Sequence, residues 1–135
     1  MAVVFPFEEQ KTSIFGVIKR PVADVNFWSV TLKKWIPVRM VVDTGADYTL
    51  LPKWIAGKLG VDLSHDCRKY RTVGVGGKEN VFLLKGEWQA KIGEWEESVV
   101  LGFIGDNNVP PLLGRLKFME KFKVTFDNYR TLFEK

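Results

Sequence analysis

The run Val41-Val42-Asp43-Thr44-Gly45-Ala46-Asp47 constrains this chain more than any other stretch. Two β-branched residues lead into an aspartate, and a glycine two positions later permits a sharp turn. A carboxylate placed in this way emerges from a buried strand and is expected to be held rigidly in a poorly solvated place. Thr44 adds a hydroxyl that can fix the turn by hydrogen bonds. The tripeptide Asp-Thr-Gly occurs once in the 135 residues. That single copy bears on fold, chemistry and assembly at once.

A lone carboxylate is a poor catalyst of hydrolysis. Two that face each other at about 3 Å cannot both ionise, so they share one proton. The charged member can then act as general base on a water, and the protonated member can polarise a carbonyl. With one copy per chain, such a pair requires a symmetric homodimer with Asp43 close to the two-fold axis. The competing reading is an aspartate that only caps a turn. For an isolated tripeptide that reading is the better one, so the rest of the chain has to decide.

The length allows one domain with a real core and is too short for two full lobes. Residues 1–12 read as a loose N-terminal arm, and residues 13–135 as the domain. Short strands are expected over 13–20 and 36–42, and residues 27–33 alternate with period two. Residues 52–59 read as a short helix, with Pro52 at its first position and Gly60 as its stop. A hairpin over 69–84 carries Gly74, Gly76 and Gly77 at its tip. Further strands are expected at 88–92 and 97–104, joined around Gly93, followed by a polar loop at 106–111. A second short helix is expected at 116–122, and a last hairpin turns about Asp127-Asn128. The fold class is mostly β with one or two short helices.

Four motifs in order now resemble the retropepsin-like aspartic proteases, the single-domain dimeric relatives of pepsin. They are Val42-Asp43-Thr44-Gly45-Ala46-Asp47 with Thr49, then Val73-Gly74-Val75-Gly76-Gly77, then Pro111-Leu112-Leu113-Gly114-Arg115, and the helix and strand after it. Residues 1–25 are not covered. The resemblance implies a closed antiparallel β-barrel-like domain with its active site at a homodimer two-fold axis. It implies that Asp43 is the catalytic aspartate and that Thr44, Gly45 and Ala46 form the active-site loop. The Thr44 hydroxyl would lock the two loops together across the axis. Gly74, Val75, Gly76 and Gly77 would be a flap that closes over substrate. Asp47 and Arg115 would form an ion pair within the subunit, buried and so costly to break. Leu112, Leu113 and Gly114 would open the C-terminal helix. With Val75, the two leucines point to apolar side chains around the scissile bond. Val73, Leu116 and the stretch between Asp47 and the flap depart from the retroviral pattern, and the chain ends do not match the interleaved ends of retroviral dimers.

The function so implied is endopeptidase hydrolysis through a water activated between two Asp43 carboxylates, with no metal or cofactor. The partners are a second copy of the chain and a peptide or protein substrate. The alternative is a catalytically silent dimeric peptide-binding module on the same fold. Nucleic acid is disfavoured: the net charge of +4 is small, and no block of like charge concentrates it. His65, Asp66 and Cys67 are adjacent in sequence and read as a polar loop, without a second histidine for a zinc site. The glycines at 74, 76 and 77 lack the Lys-Ser/Thr of a phosphate loop. The five tryptophans read as core or interface. No apolar run approaches the ~20 residues of a membrane span, and one cysteine excludes an intrachain disulfide. The expected setting is cytoplasmic.

Overall fold

The computed structural model describes residues 2–74, 77–106 and 108–135. Its first strands are β1 (Ala2–Pro6), β2 (Glu8–Thr12), β3 (Gly16–Arg20), β4 (Val22–Ser29), β5 (Lys34–Val42) and β6 (Thr49–Pro52). Two helices follow, α1 (Ile55–Leu59) and α2 (Leu63–Asp66). Next come β7 (Cys67–Gly74), β8 (Gly77–Leu84), β9 (Trp88–Ile92), β10 (Trp95–Val99), β11 (Leu101–Ile104) and β12 (Leu112–Leu113). A 3₁₀ turn (Met119–Lys121) leads into β13 (Lys123–Asp127) and β14 (Arg130–Glu134).

Nine strands form one sheet in the order β10-β9-β4-β5-β12-β6-β11-β8-β7. Among the described residues this sheet is open: β10 and β7 are its edges and do not pair with each other. The expected closed barrel is therefore replaced by a large, mixed sheet. Most neighbours are antiparallel, but β12 runs parallel to β5, and β11 runs parallel to β6. Two smaller sheets, β1-β14-β13 and β2-β3, complete the chain.

Period-two patterning places the core. Along β4, Ala23, Val25, Phe27 and Ser29 are buried, and Asp24, Asn26 and Trp28 lie on the other face. β5 answers with Val38, Met40 and Val42. Leu51, Leu59, Ile92, Leu101, Phe103 and Phe118 close the cluster from the other elements. The buried Ser29 ends the strand four residues before the sequence pattern does. Its hydroxyl donates to the carbonyl of Lys58 at 2.5 Å and accepts from the Leu32 N–H at 2.9 Å. The alternation at 30–33 thus falls in a turn, which Lys33 closes at φ 55°.

Both expected helices shift. Pro52 ends β6, with α1 beginning only at Ile55. Gly60 does stop α1, in the left-handed conformation at φ 86°. A Cβ there would lie 2.4 Å from Val30 Cγ2, so the helix end is pressed against the β4–β5 turn. The second helix, expected at 116–122, is a turn and one 3₁₀ segment. Residues 63–66 form α2, which takes in His65 and Asp66 of the polar loop expected at 65–67, while Cys67 begins β7. Asp62 supplies the signal, accepting from the N–H groups of Ser64 and His65.

The N-terminal segment is not a loose arm. β1 pairs with β14, Ala2 opposite Glu134 and Pro6 opposite Arg130. β2 pairs with β3, Glu8 opposite Arg20. The strand expected over 97–104 is two strands, β10 and β11, separated by Val100. The Asn128-Tyr129 turn of the last hairpin has two positive φ values, 50° and 62°, the geometry of a two-residue type I′ loop.

Glu97, on β10, fastens the end of the chain to the sheet. Its side chain accepts from Lys121 at 3.0 Å and from Lys135. Hydrogen bonds from Lys135 and Lys121 hold the Glu97 carboxyl below the usual carboxylate range. This stabilisation is complete above the ordinary glutamate value of about 4.3 and is lost as the pH falls through the lowered folded value. The melting temperature of Glu97→Gln should therefore lie below that of the wild type at neutral pH, and the gap should close on acidification. A gap independent of pH would contradict the charge-based account.

Candidate active site

The sheet positions Asp43 through a short insertion. β5 and β6 are consecutive strands, yet they do not pair with each other. The two residues of β12 lie between them, Leu112 opposite both Val41 of β5 and Leu50 of β6. The loop 43–48 must therefore bridge over the end of β12. Its backbone is fastened there at three points. Asp43 N–H donates to the Leu113 carbonyl at 3.1 Å, Arg115 N–H to the Ala46 carbonyl at 3.0 Å, and Leu116 N–H to the Asp47 carbonyl at 2.8 Å.

Within the loop, the Asp43 carboxylate accepts from the Gly45 N–H at 3.0 Å, and Ala46 N–H donates to the Asp43 carbonyl at 3.2 Å. The side chain is thus aimed by its own turn. Asp43 is half-buried, and Thr44 and Gly45 are exposed. This differs from the poorly solvated carboxylate expected from the apolar strand before it. Val42 is buried, but the chain reaches the surface one residue later. Among the described residues the Thr44 hydroxyl has no partner within the chain.

Asp47 and Arg115 are brought together, Arg115 Nη2 donating to Asp47 Oδ1. The pair is not buried in the single chain: the two side chains are 70% and 45% exposed. Leu113 is fully buried and belongs to the core, so it cannot line a substrate pocket; Leu112 is half-buried. Gly74 and Gly77 face each other at the end of the β7–β8 hairpin. Val75 and Gly76, expected at the flap tip, lie outside the described residues.

Two residues carry more of the site than their sequence signal conveys. The buried Thr49 accepts the Gly114 N–H on its hydroxyl at 3.1 Å. Tyr48 packs its backbone on Gly114, where a Cβ would stand 2.3 Å from the Tyr48 carbonyl oxygen. The Tyr48 ring covers Gly102, whose Cβ would lie 2.9 Å from Cε2. Burial, with the charge of Asp47 beside it, pushes the Tyr48 phenol above its usual range. Glycine at 114 thus has a direct cause: no side chain fits between β12 and the loop that holds Asp43.

The family profile described as aspartyl protease matches residues 28–115. The chain belongs to the aspartyl protease family. Its fold is similar to a retropepsin-like aspartic protease from Rickettsia conorii, with TM-score 0.68 and 20% identity over 98% of each chain. It is also similar to the EIAV protease in complex with the inhibitor HBY-793, with TM-score 0.50 and 22% identity over 78% of this chain and 88% of that one. No curated protein sequence matches it significantly. The profile begins within β4 and ends at Arg115, so it spans the whole of the β5–β12–β6 unit.

Gly114→Ala should be the most damaging small substitution in this unit. The methyl group meets the Tyr48 carbonyl, whose peptide unit is held by the Thr49 N–H bond to Val100, so the expected loss is about 1–3 kcal/mol, the size of overpacking. Arg115→Ala breaks only a solvent-exposed pair and should cost about 0–1 kcal/mol. Thermal or urea melts of the two variants check this order. Equal losses would show that the close approach at Gly114 relaxes freely.

Proposed function

We propose that the protein is an aspartic endopeptidase in which two chains form a homodimer and each contributes Asp43. The observation that carries this reading is the loop 43–47 itself. It is held at its base by three backbone bonds to the 113–116 segment, and it presents Asp43 and Thr44 outward. A rigid loop with an outward carboxylate and an unused hydroxyl suits a surface that meets its own copy. One carboxylate per chain cannot divide the acid and base roles; two related by a dyad can.

In such a dimer one Asp43 is ionised and takes a proton from the attacking water. The other holds the shared proton and donates a hydrogen bond to the scissile carbonyl oxygen. The tetrahedral intermediate collapses as the amide nitrogen receives a proton, and no covalent enzyme intermediate forms. The Asp43 backbone, tied to Leu113, and the Gly45 N–H, tied to the Asp43 carboxylate, limit how far either carboxylate can turn. That rigidity serves catalysis by preorganisation. The Thr44 hydroxyls would join the two loops across the axis. An extended peptide would lie along the exposed loop beneath the β7–β8 hairpin, bound by backbone hydrogen bonds and side-chain pockets. Membership of the aspartyl protease family supports this reading of Asp43.

Asp43→Asn should abolish cleavage of a broad peptide library and leave the fold and self-association unchanged. A statine-type inhibitor should block the wild type. The rate should rise and fall with pH in two steps that belong to the pair as a whole. Undiminished cleavage by the Asn variant would sink the assignment. Statine binding with no cleavage by the wild type at any pH would move the silent peptide-binding module ahead.

A further inference from the structure

The β2–β3 hairpin lies outside the residues that the family profile matches, and it walls a recess beside the Asp43 strand. The recess has a volume of 380 Å³ and is lined by Glu8, Gln10, Arg20, Val41, Asn108 and Pro110. Val41 stands two residues before Asp43. Its N–H donates to the Pro111 carbonyl at 2.8 Å, and the Val42 N–H donates to the Pro21 carbonyl at 3.0 Å. The recess is therefore fixed to β5, the strand that leads into the Asp43 loop: the residue after Arg20 bonds the residue before Asp43.

Arg20 is the unusual group in it. The side chain is half-buried, and its Nε is buried without a hydrogen-bond acceptor among the described residues. A buried cationic donor left unmatched is costly. Glu8 stands opposite Arg20 in the strand register, yet its carboxylate lies 3.8 Å from Nη1 of Arg39. Arg39 in turn is gripped by Asp24 at 2.9 Å and 3.2 Å. The acidic groups of this corner are thus directed to Arg39, and the guanidinium of Arg20 remains available. Gln10 and Asn108 flank it with neutral side chains.

We propose that Arg20 is a specificity-determining residue that receives the carboxylate of an Asp or Glu side chain in a peptide lying along the Asp43 loop. A guanidinium presents a planar fork of donors matched to a carboxylate, and Val41 and Pro110 offer an apolar lining for the methylene stem. The inference rests on the peptidase reading given above and names a substrate preference that the Asp43 loop does not itself provide.

The test is direct binding of a series of statine-type peptides, each carrying either Glu or Gln at one position in turn. Dissociation constants are measured for the wild type, Arg20→Met, Arg20→Lys and Glu8→Gln, each with a thermal melt to verify folding. At one position Glu should bind about tenfold tighter than Gln, the scale of one charge-assisted hydrogen bond. In Arg20→Met that ratio should fall to about one, and Arg20→Lys, a point charge without the fork, should keep part of it. Glu8→Gln removes the nearby like charge and should raise the ratio, which decides the matter should the Met variant fail to fold. A ratio near one at every position of the wild type overturns the proposal, as does a preference that survives Arg20→Met. Sedimentation of the same variants adds a separate outcome: weaker self-association with an unchanged ratio would mean that a second copy supplies the carboxylate, which also overturns it. Statine peptides that bind without a Glu preference refute only this inference; peptides that bind no variant and no wild type refute the peptidase reading and this inference with it.

Discussion

Everything at the candidate site depends on two residues, Leu112 and Leu113, wedged between strands that are consecutive in sequence. β12 takes the backbone positions that β5 and β6 would otherwise share. Buried backbone groups must find partners, so inserting β12 satisfies one edge of each neighbour and leaves the connecting loop to arch across the strand end. The arch then bonds the residues just past β12, at Ala46 and Asp47. The local consequence is a carboxylate whose backbone is anchored on one side to Leu113 and whose side chain is anchored to Gly45. Gly114 is the steric condition for this arrangement, since the Tyr48 carbonyl occupies the space of a Cβ.

The loop is rigid at its base and open at its tip, and the two properties have different origins. Rigidity comes from the ladder beneath it, where Val42 and Leu113 are buried. Openness comes from Thr44 and Gly45, which bury nothing in the single chain. A single carboxylate at such a position has no second carboxylate beside it with which to share a proton. The chemistry of a paired acid and base needs two carboxylates facing each other at about 3 Å, and a lone subunit carries one Asp43. Assembly, on the proposed reading, is thus part of the catalytic machinery as much as of the architecture.

What was legible in the sequence follows from which forces act locally. The 41–47 run, the Gly60 stop and the Asn128 turn are set by neighbours within a few residues, and each stands where the pattern puts it or within a few positions; the alternation at 27–33 catches only the last three residues of β4. The order Asp-Thr-Gly, Gly-rich hairpin, Leu-Leu-Gly-Arg also carries the family. The misses are tertiary. Pro52 is a good first residue for a helix, yet β11 pairs alongside and draws it into β6, where it lies opposite Ile104. The apolar run at 116–122 has helical spacing, but Phe118, Met119 and Phe122 are drawn into the core in a tighter turn. The Asp47–Arg115 pair stands in the expected contact but in solvent, because nothing in two charged residues tells whether a subunit surface covers them. Tyr48 and Arg20 gave no usable signal: one acts through its backbone, the other through the lack of an acceptor.

On the proposed reading, the N-terminal strands limit how a second subunit can approach. β14 lies at the centre of its small sheet, with β1 along one edge and β13 along the other. Both rows of its backbone hydrogen-bonding groups are therefore used within the chain. A dimer that interleaved the last strand with a partner's would first have to strip away β1 or β13, five ladder positions in either case. The Phe5–Phe133 ring contact, with centroids 6.2 Å apart, would be lost along with β1. Leaving those pairs intact is the less costly course, since each unmatched buried backbone group carries its own penalty. On the proposed reading, two subunits can bring their Asp43 loops together with these pairs kept and no ends exchanged. The departure of this chain from the retroviral pattern at its termini thus has a structural counterpart: the strands that retroviral enzymes share between subunits are here already paired at home.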